Sequence, residues 1–170
     1  MAAGRIHEYC VTNRWTGNLG EGTSSYRAYS RDHELSGAGK TAAIPGSSDA
    51  MFRGDGARYD PEELLVGAVS ACHMLWVLHL CADAGVVVTE YVDEAWGETV
   101  EHADGSGEFR RVVLRPRMTI GDASRIGDAV ALHNRAHEFC ALARSMNFAV
   151  VCEPAVTAEP QEPSEISEFS

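Results

Sequence analysis

Asp60-Pro61-Glu62-Glu63-Leu64-Leu65-Val66-Gly67-Ala68-Val69-Ser70-Ala71-Cys72-His73-Met74-Leu75-Trp76 is the stretch on which the fold turns. Asp60 suits an N-cap and Pro61 the first helical position. Glu62 and Glu63 face the positive end of the helix dipole. Gly85 suits the stop, so the sequence predicts a helix from about Pro61 to Ala84. Leu64 to Ala82 contains no formally charged side chain over 19 residues, near the length of a membrane span. Ser70, His73, His79 and two cysteines interrupt it, and no other segment resembles it. A helix buried at the centre of a soluble protein, or of a dimer, accounts for it better.

On the N-terminal side, Ile6 to Trp15 alternates loosely and meets the turn signal Thr16-Gly17-Asn18. Ser25 to Leu35 predicts a second strand. Ser36 to Tyr59 is rich in Gly, Ala and Ser and predicts a long loop. On the C-terminal side, a strand is expected from Val86 to about Val100. Asp104-Gly105-Ser106-Gly107 is a hairpin turn, and Glu108 to Ile120 is the paired strand. Pro116 argues for an edge or a bulge there. A second helix is expected from about Asp122 to about Met146, and a last strand from Ala149 to Val156. The chain from Ala158, with Pro160 and Pro163, predicts a disordered acidic tail. The order ββ-α-ββ-α-β makes an α+β fold, with an antiparallel sheet wrapping two helices in one domain over 1–157.

Composition narrows the function. Fourteen basic and 25 acidic residues leave a net charge of −11. That field repels nucleic-acid phosphates and anionic lipid, and the basic residues Arg110, Arg111, Arg115 and Arg117 alternate as on a strand rather than forming a patch. No nucleic-acid or membrane partner is expected. The five cysteines have no regular spacing and no Cys-x-x-Cys, and the first ten residues lack the apolar core of a signal peptide. A reducing cytoplasm is the expected compartment, where a disulfide is transient and catalytic.

Two cysteines stand out, Cys72 on the first helix and Cys140 on the second. A thiol can attack a peroxide oxygen, and a second thiol can capture the product as a disulfide. The plain alternative is that both pack as small hydrophobes, as Cys10, Cys81 and Cys152 are expected to do. An apolar helix raises a thiol's pKa, so a reactive Cys72 needs a cation nearby. Arg31 is the first candidate, ahead of Arg27 and Arg14. Glu62 could orient that guanidinium, or could simply serve the helix dipole. Ten helical residues place Glu62 about 15 Å from Cys72, so either the helix breaks near Gly67 or a long arginine spans the gap. His73, Trp76 and Phe139 could wall an apolar pocket beside Cys72. His133, His137 and Cys140 stand at i, i+4 and i+7, a spacing that suits a transition-metal site with Cys72 as fourth ligand, or merely a half-buried helix face. A non-enzymatic protein binding an apolar small molecule would use the same pocket with inert cysteines.

Pro61-Glu62-Glu63-Leu64-Leu65, Ser70-Ala71-Cys72-His73-Met74 and Ala136-His137-Glu138-Phe139-Cys140 together resemble the OsmC/Ohr family, the osmotically inducible and organic hydroperoxide resistance proteins. The resemblance spans roughly Ile6 to Thr157 and looks most like an OsmC-like branch. It implies an intertwined homodimer with two long central helices wrapped by sheets, and active sites at the dimer interface. It further implies a thiol peroxidase that reduces organic hydroperoxides without a metal or organic cofactor and is recycled by an external dithiol. Carried onto this chain, Cys72 matches the peroxidatic cysteine, Cys140 the resolving one, Glu62 the glutamate that holds the activating arginine, and Arg31 that arginine. Many members carry Cys-Pro at the second cysteine, where this chain has Cys140-Ala141.

Overall fold

The structure is a computed structural model that describes residues 4–160. It is α+β, and its described residues fall into two compact units, one running to Leu64 and the other from Leu65. The expected tail lies, from residue 161 onward, outside the described residues.

The first unit holds a small antiparallel sheet, β1 (Thr12–Trp15), β2 (His33–Ser36) and β3 (Ile44–Gly46), in that order. The two strands expected here are much shorter than the alternation implied. Part of the predicted loop is ordered instead, as β3 and a 3-10 turn at Ala50–Phe52 that Asp49 caps through the Met51 amide. Gly46 allows this sheet to close, because a Cβ there would stand 2.3 Å from the His33 ring.

α1 (Pro61–Asp83) begins as its sequence dictates. Asp60 accepts from the Glu63 amide at 2.7 Å and the Glu63 carboxylate accepts from the Asp60 amide at 3.1 Å, a reciprocal capping box. It ends at Gly85, whose φ of 69° is open to glycine at little cost. There the Val86 amide bonds to the Cys81 carbonyl at 2.8 Å and the Gly85 amide to Ala82 at 3.1 Å, which satisfies two terminal carbonyls. The helix is apolar on all sides, yet only Val69, His73, Val77 and Cys81 are buried, a single stripe at i+4 spacing. The expected central burial is therefore partial within one chain, and Leu75 remains 62% exposed.

The second unit differs most from expectation in its strands. The stretches over 86–100, 108–120 and 149–156, each expected to be continuous, all break once. They give β4 (Val88–Asp93) and β5 (Trp96–Glu101), β6 (Gly107–Leu114) and β7 (Pro116–Ile120), and β8 (Ala149–Cys152) and β9 (Ala155–Ala158). The breaks lie in register. Asp93 pairs with Pro116 and Trp96 with Val113, while Leu114 pairs with Cys152 and Arg117 with Ala155. The sheet thus folds along one line, with orders β4-β7-β9 and β5-β6-β8 on either side. At that line the Asp93 carboxylate takes the Arg115 amide at 2.7 Å, and the Glu153 amide reaches Leu114 O at 2.9 Å. Pro116 and Pro154 are tolerated because one starts a strand and the other sits in the break. The sheets are mixed rather than wholly antiparallel, since β8 and β9 pair in parallel with β6 and β7.

The second helix is also interrupted. A 3-10 turn at Ala123–Arg125, capped by Asp122, leads into α2 (Ile126–Phe139), and α3 (Ala141–Ser145) follows. Two apolar clusters flank the sheet's fold line. One gathers Val77, Cys81, Val86, Met118 and Ile120, and the other Val69, Val112 and Leu114. Each such side chain contributes roughly 1.5–3 kcal/mol by leaving water.

Candidate functional site

Cys72 is half-buried on α1, and Cys140 is fully buried at the joint between α2 and α3. Cys140 lies in neither helix: its φ of −67° and ψ of 103° are extended, and its sulfur accepts from the Ala143 amide at 3.4 Å as the cap of α3. The helix start survives without proline after the cysteine. The two thiols, 68 positions apart in the chain and both free, lie near enough for Cys72 to influence the titration of Cys140. Burial, and then this influence of Cys72, pushes the Cys140 thiol up to about 11. At neutral pH Cys140 is a protonated thiol.

Two of the expected pocket residues meet beside this pair. Trp76, one turn beyond Cys72, packs on Phe139 with ring centroids 5.1 Å apart. Phe139 directly precedes Cys140 and is 42% exposed, with the Arg135 guanidinium 5.7 Å from its ring centre. His73 does not join them. One residue further round α1, it turns about 100° away and is 1% exposed, so its position offers no contact with a molecule bound beside Cys72.

Arg31 belongs to the first unit. Its guanidinium lies over Tyr26 at 4.1 Å and Tyr29 at 4.3 Å, and donates to the Tyr29 and Tyr26 carbonyl oxygens at 2.8 and 2.9 Å. Glu62 is exposed in the first turn of α1, and among the described residues no ion pair joins it to Arg31. α1 runs unbroken through Gly67, so the separation of about 15 Å between Glu62 and Cys72 stands along its axis.

The metal set suggested by spacing is not the one the fold assembles. Because α2 stops at Phe139, Cys140 does not continue the face of His133 and His137. His133 instead meets His73 and Cys152 in the core. His133 Nδ1 is 3.1 Å from His73 Nε2, and Cys152 Sγ is 3.3 Å from that same nitrogen. All three ligand atoms lie within 4.8 Å of one another. Burial, aided by His137, lowers His73 to about 4, with Asp93 opposing. Burial and His73 lower His133 to about 4. Burial, Asp93 and Glu153 push Cys152 up to about 12. His73 Nδ1, His133 Nε2 and the Tyr91 hydroxyl are buried without a hydrogen-bond partner among the described residues. Sequence reasoning missed this cluster because α1, α2 and β8 each supply one member. The one local signal is His73 in the Val69–Val77–Cys81 stripe, a polar residue where the pattern asks for an apolar one.

Comparison with known proteins agrees with this architecture. The model of the OsmC-like protein family matches residues 54–154, more than half of the 170-residue chain. No curated protein sequence matches it significantly. Among solved structures, an OsmC-like protein of unknown function from Vibrio cholerae is 29% identical at a TM-score of 0.78, the match covering 88% of this chain and 100% of that one. An organic hydroperoxide resistance protein from Elizabethkingia anophelis is 15% identical at a TM-score of 0.62, covering 91% and 100%. The organic hydroperoxide resistance protein OhrB of Bacillus subtilis is 18% identical at 0.57, covering 86% and 96%. A paired sheet and helix set of this kind, matched over most of its length, places the chain in the OsmC-like protein family.

Proposed function

We propose that this protein is a thiol peroxidase that reduces organic hydroperoxides, with Cys72 attacking and Cys140 resolving. The observation that carries the reading is the nearness of these two free thiols, by which Cys72 perturbs Cys140, one half-buried and the other buried next to Phe139 of the Trp76–Phe139 pair. Hydroperoxide resistance proteins among the structural relatives support it.

The Cys72 thiolate attacks the distal oxygen of ROOH. An S–O bond forms, the O–O bond breaks, and the departing alkoxide takes a proton to leave as ROH. Cys72 is then a sulfenic acid. The Cys140 sulfur, giving up its proton, attacks the Cys72 sulfur; the S–S bond forms and the oxygen leaves as water. An external dithiol returns two electrons and becomes a disulfide itself. The high pKa of Cys140 suits the second role, since a thiol near 11 is a poor first nucleophile at neutral pH. Trp76 and Phe139 give an apolar wall that favours an organic R group. In this reading the guanidinium that assists the attacking Cys72 sulfur is, by the family resemblance, Arg31. The working form is a homodimer, for which the uncovered apolar faces of α1 argue, Leu75 among them.

The test is consumption of an alkyl hydroperoxide with a dithiol reductant, by wild type and Cys72→Ser. Loss of turnover in the variant is expected; equal rates would remove Cys72 from the chemistry. After one equivalent of peroxide, mass spectrometry is expected to find Cys72 linked to Cys140. A link to Cys81 instead would end the resolving role of Cys140.

A further inference from the structure

We propose that His73, His133 and Cys152 form a buried three-coordinate site for a single soft monovalent metal ion, Cu(I). The site stands apart from the thiol pair and does not rest on the peroxidase reading.

The argument starts from hydrogen counting. His73 Nε2 has two close neighbours, His133 Nδ1 at 3.1 Å and Cys152 Sγ at 3.3 Å. A ring nitrogen either donates one hydrogen or accepts at one lone pair. If His73 Nε2 accepts from Cys152, it has no second lone pair for His133; if it donates to His133, the thiol hydrogen has no acceptor there. The outer atoms His73 Nδ1 and His133 Nε2 are buried without partners as well. Both rings are essentially inaccessible, at 1% and 0% exposure, and a buried polar atom left unpaired is destabilising. One proton can pair the two inner nitrogens with each other, but it leaves the Cys152 thiol without an acceptor there. One cation that takes all three lone pairs satisfies all three inner atoms.

Chemistry selects the ion. Two neutral imidazoles and one thiolate are the donor types of copper and zinc. Charge separates these two. Cu(I) with one thiolate is neutral, which suits a core flanked by Val69 and Val77 on α1 and needs no counter-ion. Zn(II) with the same set keeps a positive charge and seeks a fourth ligand. The two carboxylates with an electrostatic influence on Cys152 are already committed, Asp93 to the Ser70 hydroxyl at 2.5 Å and the Arg115 amide at 2.7 Å, and Glu153 to the Arg115 guanidinium at 3.3 Å. Binding exchanges the Cys152 proton for the ion and releases that proton to solvent; no electron is transferred.

The geometry is fixed from three sides. α1 presents His73, α2 presents His133, and Cys152 ends β8 at the fold line of the sheet. With ring planes 27° apart and centroids 5.4 Å apart, the two rings already bring His73 Nε2 and His133 Nδ1 to 3.1 Å before any ion arrives. Preorganised ligands of this kind spend little ordering entropy on binding.

The experiment uses the full chain with Cys72→Ser and Cys140→Ser combined, so that the thiol pair cannot bind copper. Cu(I) is titrated anaerobically against bicinchoninate, whose absorbance reports the ion it retains. The expected result is one equivalent captured by this background, and at least a hundredfold weaker capture when Cys152→Ser or His133→Gln is added. X-ray absorption of the loaded background protein, which removes no ligand and so is immune to misfolding, is expected to show two nitrogen scatterers and one sulfur. No stoichiometric capture, a shell of two or more sulfurs, capture indifferent to Cys152 and His133, or retention of Zn(II) with rejection of Cu(I) would each overturn the proposal. Loss of peroxide turnover in the same background, with copper capture intact, would separate the two readings.

Discussion

Cys72 and His73 are neighbours in the chain and opposites in environment. Cys72 is half-buried and lies near a second thiol and an aromatic pair, while His73 is sealed in the core against a second imidazole and a third cysteine. One step of helix, about 100°, separates the two settings. The contrast teaches that on an all-apolar helix the chemistry is assigned by what packs on each face, not by the helix's own pattern. It also predicts a crossover. Residues on the Cys72 face should govern reactivity, and residues on the His73 face should govern stability.

The largest expected effect is on the reactive face. Cys72→Ser should lower peroxide turnover about a thousandfold or more, as loss of a nucleophile does, while leaving the melting midpoint almost unchanged. His133→Ala should do the reverse. It opens a cavity in the core and strands His73, at a cost of about 2–4 kcal/mol in denaturant unfolding, with turnover of the folded fraction retained. A folded His133 variant that had lost peroxide turnover would break the contrast.

A pH dependence sharpens the same division. The metal-free protein, freed of copper by a chelator, should lose stability as pH falls from about 6.5 toward about 4. In the unfolded chain each histidine takes up a proton near 6.5, and in the core it does not until about 4, so acid draws protein toward the unfolded state. Above 6.5 both states are neutral and the contribution is fully present. One imidazole contributes about 3 kcal/mol over that window, and because the pair is coupled the two do not simply add. The His73→Asn, His133→Asn double variant should flatten the urea-midpoint profile between these pH values; an unchanged slope would assign the acid sensitivity to other groups.

The legibility of the sequence follows the same line between local and distant information. The limits of α1 were readable because Asp60, Pro61, Glu63 and Gly85 act within a turn of the helix ends, and the hydrogen bonds at those ends match. The Asp104–Gly105 turn was readable for the same reason, with Gly105 at a φ of 84°. The fold line of the sheet was not. It needs breaks in three strands to align, and only Pro116 signalled one of them. The break of the second helix at Cys140 has no proline to announce it, and the residue's extended ψ is seen only in the structure. Cys140 stands out by its place on the second helix, its resolving role comes from the family resemblance, and its nearness to Cys72 required tertiary folding. His73 was placed on the wrong side because neighbours on a helix share a sequence position but not a face. Cys152 looked inert because its two partners lie on other elements.

A smaller effect tests the second step of the chemistry. Cys140→Ser should leave the first turnover intact and slow later ones roughly tenfold to a hundredfold, because the sulfenic acid must then wait for an external thiol. Trapping with dimedone should label Cys72 in this variant and little in the wild type. Strong labelling of both would mean that Cys140 is too slow to resolve.

The smallest expected effect concerns the wall rather than the thiols. Phe139 is 42% exposed, so truncating it to alanine costs less than a core cavity would, yet it removes the ring packed 5.1 Å from Trp76. If that pair receives the R group, Phe139→Ala should raise KM for an aromatic hydroperoxide about three- to tenfold with kcat unchanged, the mark of binding that is equal in ground and transition states. Hydrogen peroxide, which has no R group to place, should show no such change. A fall in kcat for both substrates would instead mean that the ring positions Cys140 at the cap of its short helix, and that the aromatic pair acts as a brace for the resolving thiol and not as a surface for substrate.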